Sequence, residues 1–134
     1  MDLDNINVLV CGSRGYMEEA RIHAVLVCHL DTYLNHPNHF HITFLHGACK
    51  NCADEVISNI QENENISVKA YPAEWNKYGK RAAYIRNKAM VDEADIVIAF
   101  WDGKSKGTKM TIDLALASRN VSFVYVDLDH VRKV

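Results

Sequence analysis

Five short runs of mostly apolar residues recur along the chain, and each has the length of a β-strand. They are rich in Val, Ile, Phe and Tyr. Their apolar positions are continuous rather than alternating, which is typical of strands that are covered on both faces. The predicted strands are Ile6–Cys11, Ile42–His46, Ile66–Tyr71, Ile96–Trp101 and Val121–Val126.

Segments with apolar residues three or four positions apart separate these runs, and this spacing predicts amphipathic helices. The predicted helices are Met17–Asn35, Ala53–Asn63, Arg81–Glu93 and Thr108–Arg119. Alternating strands and helices predict a Rossmann-like, three-layer α/β/α fold with a mainly parallel, five-stranded sheet. Because no linker or repeat interrupts the pattern, we expect residues 1–134 to form a single domain.

Composition narrows the class of protein without indicating an activity. Of the 134 residues, 49% are hydrophobic and 24% are charged, which is typical of a packed domain. The net charge of −2 lacks the basic excess of a nonspecific nucleic-acid binder. No apolar run has the roughly 18 residues of a membrane helix, and the first residues do not form a signal peptide. We therefore expect a cytoplasmic protein that does not bind membranes or nucleic acid.

The four cysteines do not match a common metal or redox motif. Cys49 and Cys52 have the C-x-x-C spacing, but no second pair and no suitable histidine follow at zinc-finger spacing. No thioredoxin-type context surrounds the pair, so the spacing does not indicate a redox role. Cys11 and Cys28 fall in apolar patterns and are predicted to be small buried side chains. The sequence predicts neither a metal nor a cofactor.

Residues that can bind an anion follow several of the predicted strands. In parallel α/β sheets, ligands bind beyond the carboxyl ends of the strands, where the strand order reverses. The first such segment is Gly12-Ser13-Arg14-Gly15. Its glycines allow a close approach of the backbone, the following helix start offers free N–H groups, and Arg14 can bind a phosphate or carboxylate. An ordinary tight turn with a solvated arginine explains the same residues.

A second candidate segment follows the fourth predicted strand. Gly103-Lys104-Ser105-Lys106-Gly107-Thr108 combines glycines, lysines and hydroxyls before a helix. This is the composition of an anion-binding nest, with Ser105 or Thr108 as the helix cap. A flexible capping loop is the alternative, but it does not explain the lysines.

Other candidates lie on the second and third loops. The segment His46-Gly47-Ala48 follows the second strand and is predicted to line the ligand site. Trp75 and Tyr78 follow the third strand, where an exposed aromatic pair can stack on a base. The alternative is that Trp75 covers the core.

Candidate catalytic groups are fewer, and each has a structural explanation. Arg86 and Asn87 lie in a predicted helix before the fourth strand, where they either face the site or form a solvated surface. Asp54 and Asp113 lie near helix starts, where the helix dipole already favours negative charge. A catalytic role is the sharper hypothesis for both carboxylates, and Glu74 is a further candidate from another loop.

Together these segments resemble the SLOG superfamily, the Rossmann-like group that contains the Smf/DprA and Lonely Guy proteins. Within it they resemble a YspA/YpsA-related branch of small bacterial and phage proteins. The resemblance runs from about Val8 to Val126. It is carried by Gly12-Ser13-Arg14, His46–Asp54, Pro72–Met90, Asp95 with Ala99-Phe100, and Ser105–Thr108.

The resemblance implies a nucleotide-like ligand, such as a nucleoside monophosphate or ADP-ribose, at the strand ends. Lonely Guy enzymes cleave the N-glycosidic bond of nucleoside 5′-monophosphates, and their pattern pairs an Arg-Lys with P-G-G-x-G-T-x-x-E. Arg86 aligns with that arginine, and Asn87 replaces the lysine. Gly107-Thr108 aligns with the G-T, but the position of the catalytic Glu falls on Thr111.

Two functions therefore stay open at the level of sequence. One is a binding module that senses or sequesters the ligand, which the vacant Glu position favours. The other is a phosphoribohydrolase-like enzyme, which the retained Arg86 favours and in which Asp54, Glu74 or Asp113 would replace the missing Glu. DNA binding of the DprA kind is disfavoured by the acidic balance. The resemblance also implies a homo-oligomer, of which a dimer is the simplest form.

Overall fold

The computed structural model describes residues 3–128, and its centre is one five-stranded sheet. The strand order is β3-β2-β1-β4-β5, and every neighbouring pair is parallel. The predicted α/β fold with a Rossmann-like arrangement is confirmed, and this sheet is parallel throughout. The strands are β1 (Asp4–Gly12), β2 (Phe40–His46), β3 (Ile66–Ala70), β4 (Ile96–Trp101) and β5 (Phe123–Leu128).

Helices connect the strands at the four predicted places, with shifted ends, and one further short helix, Trp75–Tyr78, was not predicted. They are α1 (Glu19–Leu34), α2 (Ala53–Ser58), α3 (Trp75–Tyr78), α4 (Ala82–Glu93) and α5 (Lys106–Ala117), and a 3₁₀ turn (Gly79–Arg81) joins α3 to α4. Helix α2 is shorter than the predicted Ala53–Asn63. Its last turn tightens, because the amides of Asn59 and Ile60 bond to carbonyls three residues back. Farther on, the Asn63 side chain accepts from the Asn65 amide and stabilises a turn instead of a helix.

The two faces of the sheet carry different helices. Successive side chains of a strand point to opposite faces. Val8 and Val10 of β1 therefore pack in a cluster with residues of α1 and α2. Leu9, on the opposite face, packs in a cluster with residues of α4 and α5. This arrangement gives the three predicted layers. No helix within residues 3–128 has the length and apolar character needed to cross a membrane.

The structure corrects one cysteine prediction. Cys11 is buried as predicted, but Cys28 is exposed. Helix α1 turns Ile22, Val25 and Leu26 toward the sheet, and Cys28 lies on its outer side.

Candidate functional site

A cleft of about 330 Å³ opens beyond the carboxyl ends of the central strands. Strands β2 and β3 lie on one side of β1, and β4 and β5 lie on the other, so the strand order reverses between β1 and β4. The predicted site residues that line the cleft are Gly12, Arg14, Gly47, Asp54, Arg86, Asn87, Ser105, Gly107 and Thr108.

Arg86, from α4, holds its guanidinium against the loop that follows β2. Its Nη1 donates to the carbonyl oxygens of Gly47 at 2.5 Å and Tyr71 at 3.4 Å. Its Nε donates to Asn87 Oδ1 at 2.6 Å. Nη2 makes no hydrogen bond to a residue in the range 3–128, so its two N–H groups are available to a ligand.

Gly47 permits this arrangement because it has no side chain. A Cβ atom built there would lie 2.7 Å from Nη1 of Arg86 and 3.2 Å from Oδ2 of Asp54. The guanidinium and the carboxylate therefore face the same small space beside the Gly47 backbone.

Asp54 is a buried carboxylate at the start of α2, with 4% of its surface exposed. Oδ2 accepts from the backbone amides of Gly47 at 2.7 Å and Cys49 at 3.5 Å, and Oδ1 accepts from the Cys52 thiol at 3.5 Å. Burial raises the pKa of Asp54 above its ordinary value, although these hydrogen bonds oppose the shift. A carboxyl group of this kind gains or loses a proton closer to neutral pH than an exposed one does.

His46 shapes the same loop from behind the cleft. It is 4% exposed, and its Nδ1 accepts from the Ala48 amide at 3.0 Å. Burial lowers the pKa of His46, and nearby Asp54 opposes this shift. The neutral imidazole holds Ala48 at φ 60°, a left-handed conformation that a residue with a Cβ rarely adopts. His46 and Ala48 therefore position Gly47 without lining the cleft themselves.

Helix α5 presents its N-terminal turn to the cleft. It begins at Lys106, two residues before the predicted start, so Gly107 and Thr108 lie in its first turn. Ser105 is the N-cap, and its Oγ accepts from the Thr108 amide at 3.5 Å. The loop before it is fixed by Asp102, whose Oδ1 accepts from the amides of Lys104 and Ser105 at 2.8 Å each. The remaining first-turn amides and the helix dipole favour an anion in this part of the cleft.

Three predicted site residues near α5 are not brought to the cleft. Gly103 and Lys104 lie on the exposed turn that precedes the helix. Asp113 lies on the outer side of α5, where it pairs with Lys109 at 2.8 Å. It follows Thr111 by two residues, which on a helix is more than half a turn away from the cleft.

The loop after β1 differs from the sequence expectation in its connection to α1. That helix begins at Glu19, so Gly12–Gly15 does not lead directly into its N-terminus. Ser13 is fully buried, and its Oγ accepts from the Asp102 amide at 3.0 Å, which ties the loops after β1 and β4 together. Arg14 is exposed and lines the cleft.

The aromatic candidates lie to one side of the cleft. Glu74 and Tyr78 line an adjoining hollow of about 320 Å³, and Arg86 borders both spaces. Trp75 lines neither space and is 57% exposed. The alternative that Trp75 covers the core is wrong, because α3 has no buried residue.

Sequence reasoning missed several cleft residues that helical periodicity identifies. Ala83 and Met90 lie one turn before and after Arg86 and Asn87 on the same side of α4. Thr111, which the resemblance places at the position of the Lonely Guy glutamate, also lines the cleft one turn beyond Gly107, and its hydroxyl donates to the Gly107 carbonyl at 3.3 Å. Cys11, at the end of β1, and Cys49, in the loop after β2, complete the lining.

A hollow of about 400 Å³ elsewhere on the molecule is a weaker candidate. It lies beside the beginnings of β2 and β3, and Pro37, Phe40 and Ile66 are among its lining residues. Glu64 is its charged group, and no cation lines it among the residues described. Across residues 3–128, no cluster of His, Cys, Asp and Glu is arranged to hold a metal ion.

The chain is similar in sequence to a phage protein. It is 30% identical to the Gene 61 protein of Mycobacterium phage D29 over 108 residues, which cover 76% of this chain and 82% of that protein. No protein-family model and no solved structure matches the chain.

Proposed function

This chain belongs to the family of the Gene 61 protein of Mycobacterium phage D29, and we propose that it binds a nucleotide or a nucleotide-derived ligand as a sensor or sequestering module. One observation carries the proposal: Arg14, Arg86 and the first turn of α5 surround the same cleft. Guanidinium groups bind phosphate oxygens in pairs, and a helix N-terminus adds backbone donors and a positive dipole end.

The rest of the cleft supports a nucleotide over a bare phosphate. Asp54, Asn87 and Thr108 offer acceptors and donors to sugar hydroxyls. The adjoining hollow, bordered by Arg86, Pro72 and the ring of Tyr78, offers an apolar surface to a planar base. The volume of about 330 Å³ lies at the lower end of the range for small-molecule sites, which suits a nucleoside monophosphate.

The test of binding uses Arg14, because it is exposed and makes no hydrogen bond with the described residues that would complicate folding. Calorimetric titration with AMP and ADP-ribose is expected to show binding, and Arg14→Gln is expected to weaken it about tenfold or more. A hydrogen bond to a charged group contributes about 1.5–3 kcal/mol, and 1.4 kcal/mol corresponds to tenfold.

Arg119→Gln is the matched control and should leave the affinity unchanged. Arg119 follows the C-terminal end of α5, eight residues beyond Thr111, and does not line the cleft. The proposal fails if AMP, ADP-ribose, NAD and inorganic phosphate all fail to bind at millimolar concentration.

A second candidate function is hydrolysis of the N-glycosidic bond of the same ligand. The observation that favours it is the burial of the Asp54 carboxylate in the space that Arg86 also faces. Such a carboxylate can stabilise an oxocarbenium-like centre or transfer a proton. Thr111 occupies the position at which the Lonely Guy pattern has its Glu, so the reaction would depend on Asp54.

Asp54→Asn separates this hydrolase from a binding module. For a hydrolase, chromatography of AMP incubated with the variant shows no released adenine, whereas the wild type releases it. We also expect a higher Tm at pH 7, because the variant removes a buried charge. The raised pKa means that the folded state holds the Asp54 proton more strongly than the unfolded state does. The destabilisation of the fold by the Asp54 charge is therefore absent below the ordinary pKa of 3.8 and grows as pH rises through the folded pKa.

The control is Asp113→Asn, since Asp113 is exposed and remote from the cleft. It should leave adenine release unchanged and Tm at pH 7 nearly unchanged. If wild-type protein releases no adenine at high concentration, the hydrolase hypothesis is rejected and the binding module stands.

A further inference from the structure

Two cysteines contact the Asp54 carboxylate at the edge of the cleft, one through its thiol and the other through its backbone amide. Cys52 is fully buried, and its Sγ donates to Asp54 Oδ1 at 3.5 Å. Cys49 is half-buried, lines the cleft, and donates its backbone amide to Asp54 Oδ2 at 3.5 Å. The Cys49 thiol donates to the Lys50 carbonyl at 3.3 Å, so both cysteines belong to one short loop that surrounds the Asp54 carboxylate. The structure thus supplies a context that the C-x-x-C spacing lacked.

We propose that Cys49 and Cys52 form a reversible disulfide on reaction with a two-electron oxidant of the peroxide class, and that this bond weakens ligand binding in the cleft. The first part concerns the thiols themselves. The second part rests on the proposed function, because it requires a ligand that the cleft binds.

The different solvent exposure of Cys49 and Cys52 indicates which of the two thiols reacts with the oxidant first. Cys49 reaches the cleft, so it meets a small oxidant first, whereas Cys52 is shielded and acts as the resolving thiol. The Cys49 sulfur attacks one peroxide oxygen, the O–O bond breaks, and the products are a sulfenic acid and water. The Cys52 sulfur then attacks the Cys49 sulfur, the S–S bond forms, and the S–O bond breaks.

Asp54 provides a path for the proton in the second step. Its Oδ1 already accepts from the Cys52 thiol, so the carboxylate can take that proton as the sulfur attacks. The proton then joins the departing hydroxide to form a second water. In total, two thiols and one hydrogen peroxide give one disulfide and two waters, and two electrons pass from sulfur to oxygen.

The disulfide would alter the cleft directly. Cys52 would no longer donate to Asp54, and Cys49 would move from the cleft wall toward Cys52. The loop between them already contains Asn51 at φ 59°, whose carbonyl accepts from the Gly15 amide, so a shift also reaches the loop that carries Arg14. A bond across so short a loop adds little stability, which suits a bond that is readily reduced.

Trypsin offers a direct readout, because Lys50 lies between the two cysteines. The variant Cys28→Ser, which removes the exposed thiol of α1, is treated with hydrogen peroxide, alkylated and digested without reductant. We expect residues 22–50 and 51–69 to remain linked through Cys49 and Cys52, with the link lost after dithiothreitol. Adding Cys49→Ser should abolish the link.

Other peptide patterns overturn the proposal. These are the absence of a link, a link from either peptide to residues 1–14 that carries Cys11, and oxidation of Cys49 to a sulfonic acid without a link. None of these readouts depends on a ligand.

Titration with AMP tests the second part. The oxidised Cys28→Ser protein is expected to bind AMP about tenfold or more weakly than the reduced form, as for the loss of one hydrogen bond to a charged group. If the oxidised and reduced proteins bind AMP with equal affinity, the proposed effect of the disulfide on binding is overturned, whereas the proposal that the disulfide forms is not affected. If the reduced protein does not bind AMP, the proposed function fails, while the peptide map still decides whether the disulfide forms.

Discussion

Replacing Gly47 with alanine is expected to weaken nucleotide binding strongly while leaving the fold intact. The new Cβ would lie 2.7 Å from Nη1 of Arg86, a separation that atoms do not tolerate, so the guanidinium must leave the cleft wall. It lies at the end of a flexible side chain and can move at little cost to folding. We expect a loss of AMP affinity of more than about tenfold, measured by calorimetry, with a Tm change of only a few degrees.

A double-mutant cycle with Arg86→Ala tests the physical reason. If Gly47→Ala acts by displacing the guanidinium, it should have almost no further effect in the Arg86→Ala background. Additive losses would mean that the alanine methyl group blocks the ligand directly. A large loss of Tm in Gly47→Ala would mean that Arg86 is needed for the fold and is not free to move.

The sequence predicted the fold and part of the set of residues that line the cleft, but not the contacts between them. Strand and helix alternation places Arg14, Gly47 and Arg86 near the same edge, because parallel strands end together. It cannot show that Gly47 must be glycine, since the Arg86 guanidinium arrives from a helix that is 39 residues away in sequence. The reason for the glycine is a tertiary contact.

The lysines of the loop after β4 show that the composition of a loop does not indicate which of its side chains face the cleft. The composition predicts that Lys104 helps to form an anion-binding nest and that Ser105 or Thr108 caps the helix, and of these two the structure has Ser105 as the cap. The chain direction at a helix start decides which side chains face inward, and Lys104 lies on the exposed turn outside the cap. The cations that line the cleft among the described residues are both arginines from other loops and helices.

A buried polar network at the end of β5 was not anticipated, yet it connects the site to the fold. Asp127 is 4% exposed and accepts from the Tyr16 hydroxyl at 2.5 Å, from Arg21 Nη2 at 2.6 Å and from the Tyr125 hydroxyl at 3.1 Å. Tyr16 immediately follows the loop that carries Arg14, and Arg21 belongs to α1. One carboxylate therefore fixes β5, α1 and the first site loop relative to one another.

Asp127→Ala is expected to give the largest loss of stability among the variants considered, about 2–3 kcal/mol in the free energy of unfolding. A hydrogen bond to a charged group contributes about 1.5–3 kcal/mol, and the exposure of Arg21 reduces what its ion pair adds. For a chain of this size, we expect a decrease in Tm of about 8–12 °C, measured by calorimetry. Asp113→Ala, which breaks an exposed pair with Lys109, is the matched control and should cost less than about 0.5 kcal/mol.

The pH dependence of the stability loss in Asp127→Ala tests whether the charge of the Asp127 carboxylate causes that loss. Burial would raise the pKa of Asp127, but the hydrogen bonds from Arg21, Tyr16 and Tyr125 hold it below the ordinary value of 3.8. A lowered pKa gives stability that is fully present above 3.8 and is lost as pH falls through the folded pKa. The difference in Tm between wild type and Asp127→Ala should therefore narrow below about pH 3.8. A difference that stays constant into acid would show that packing of the side chain, not its charge, fixes β5 against α1.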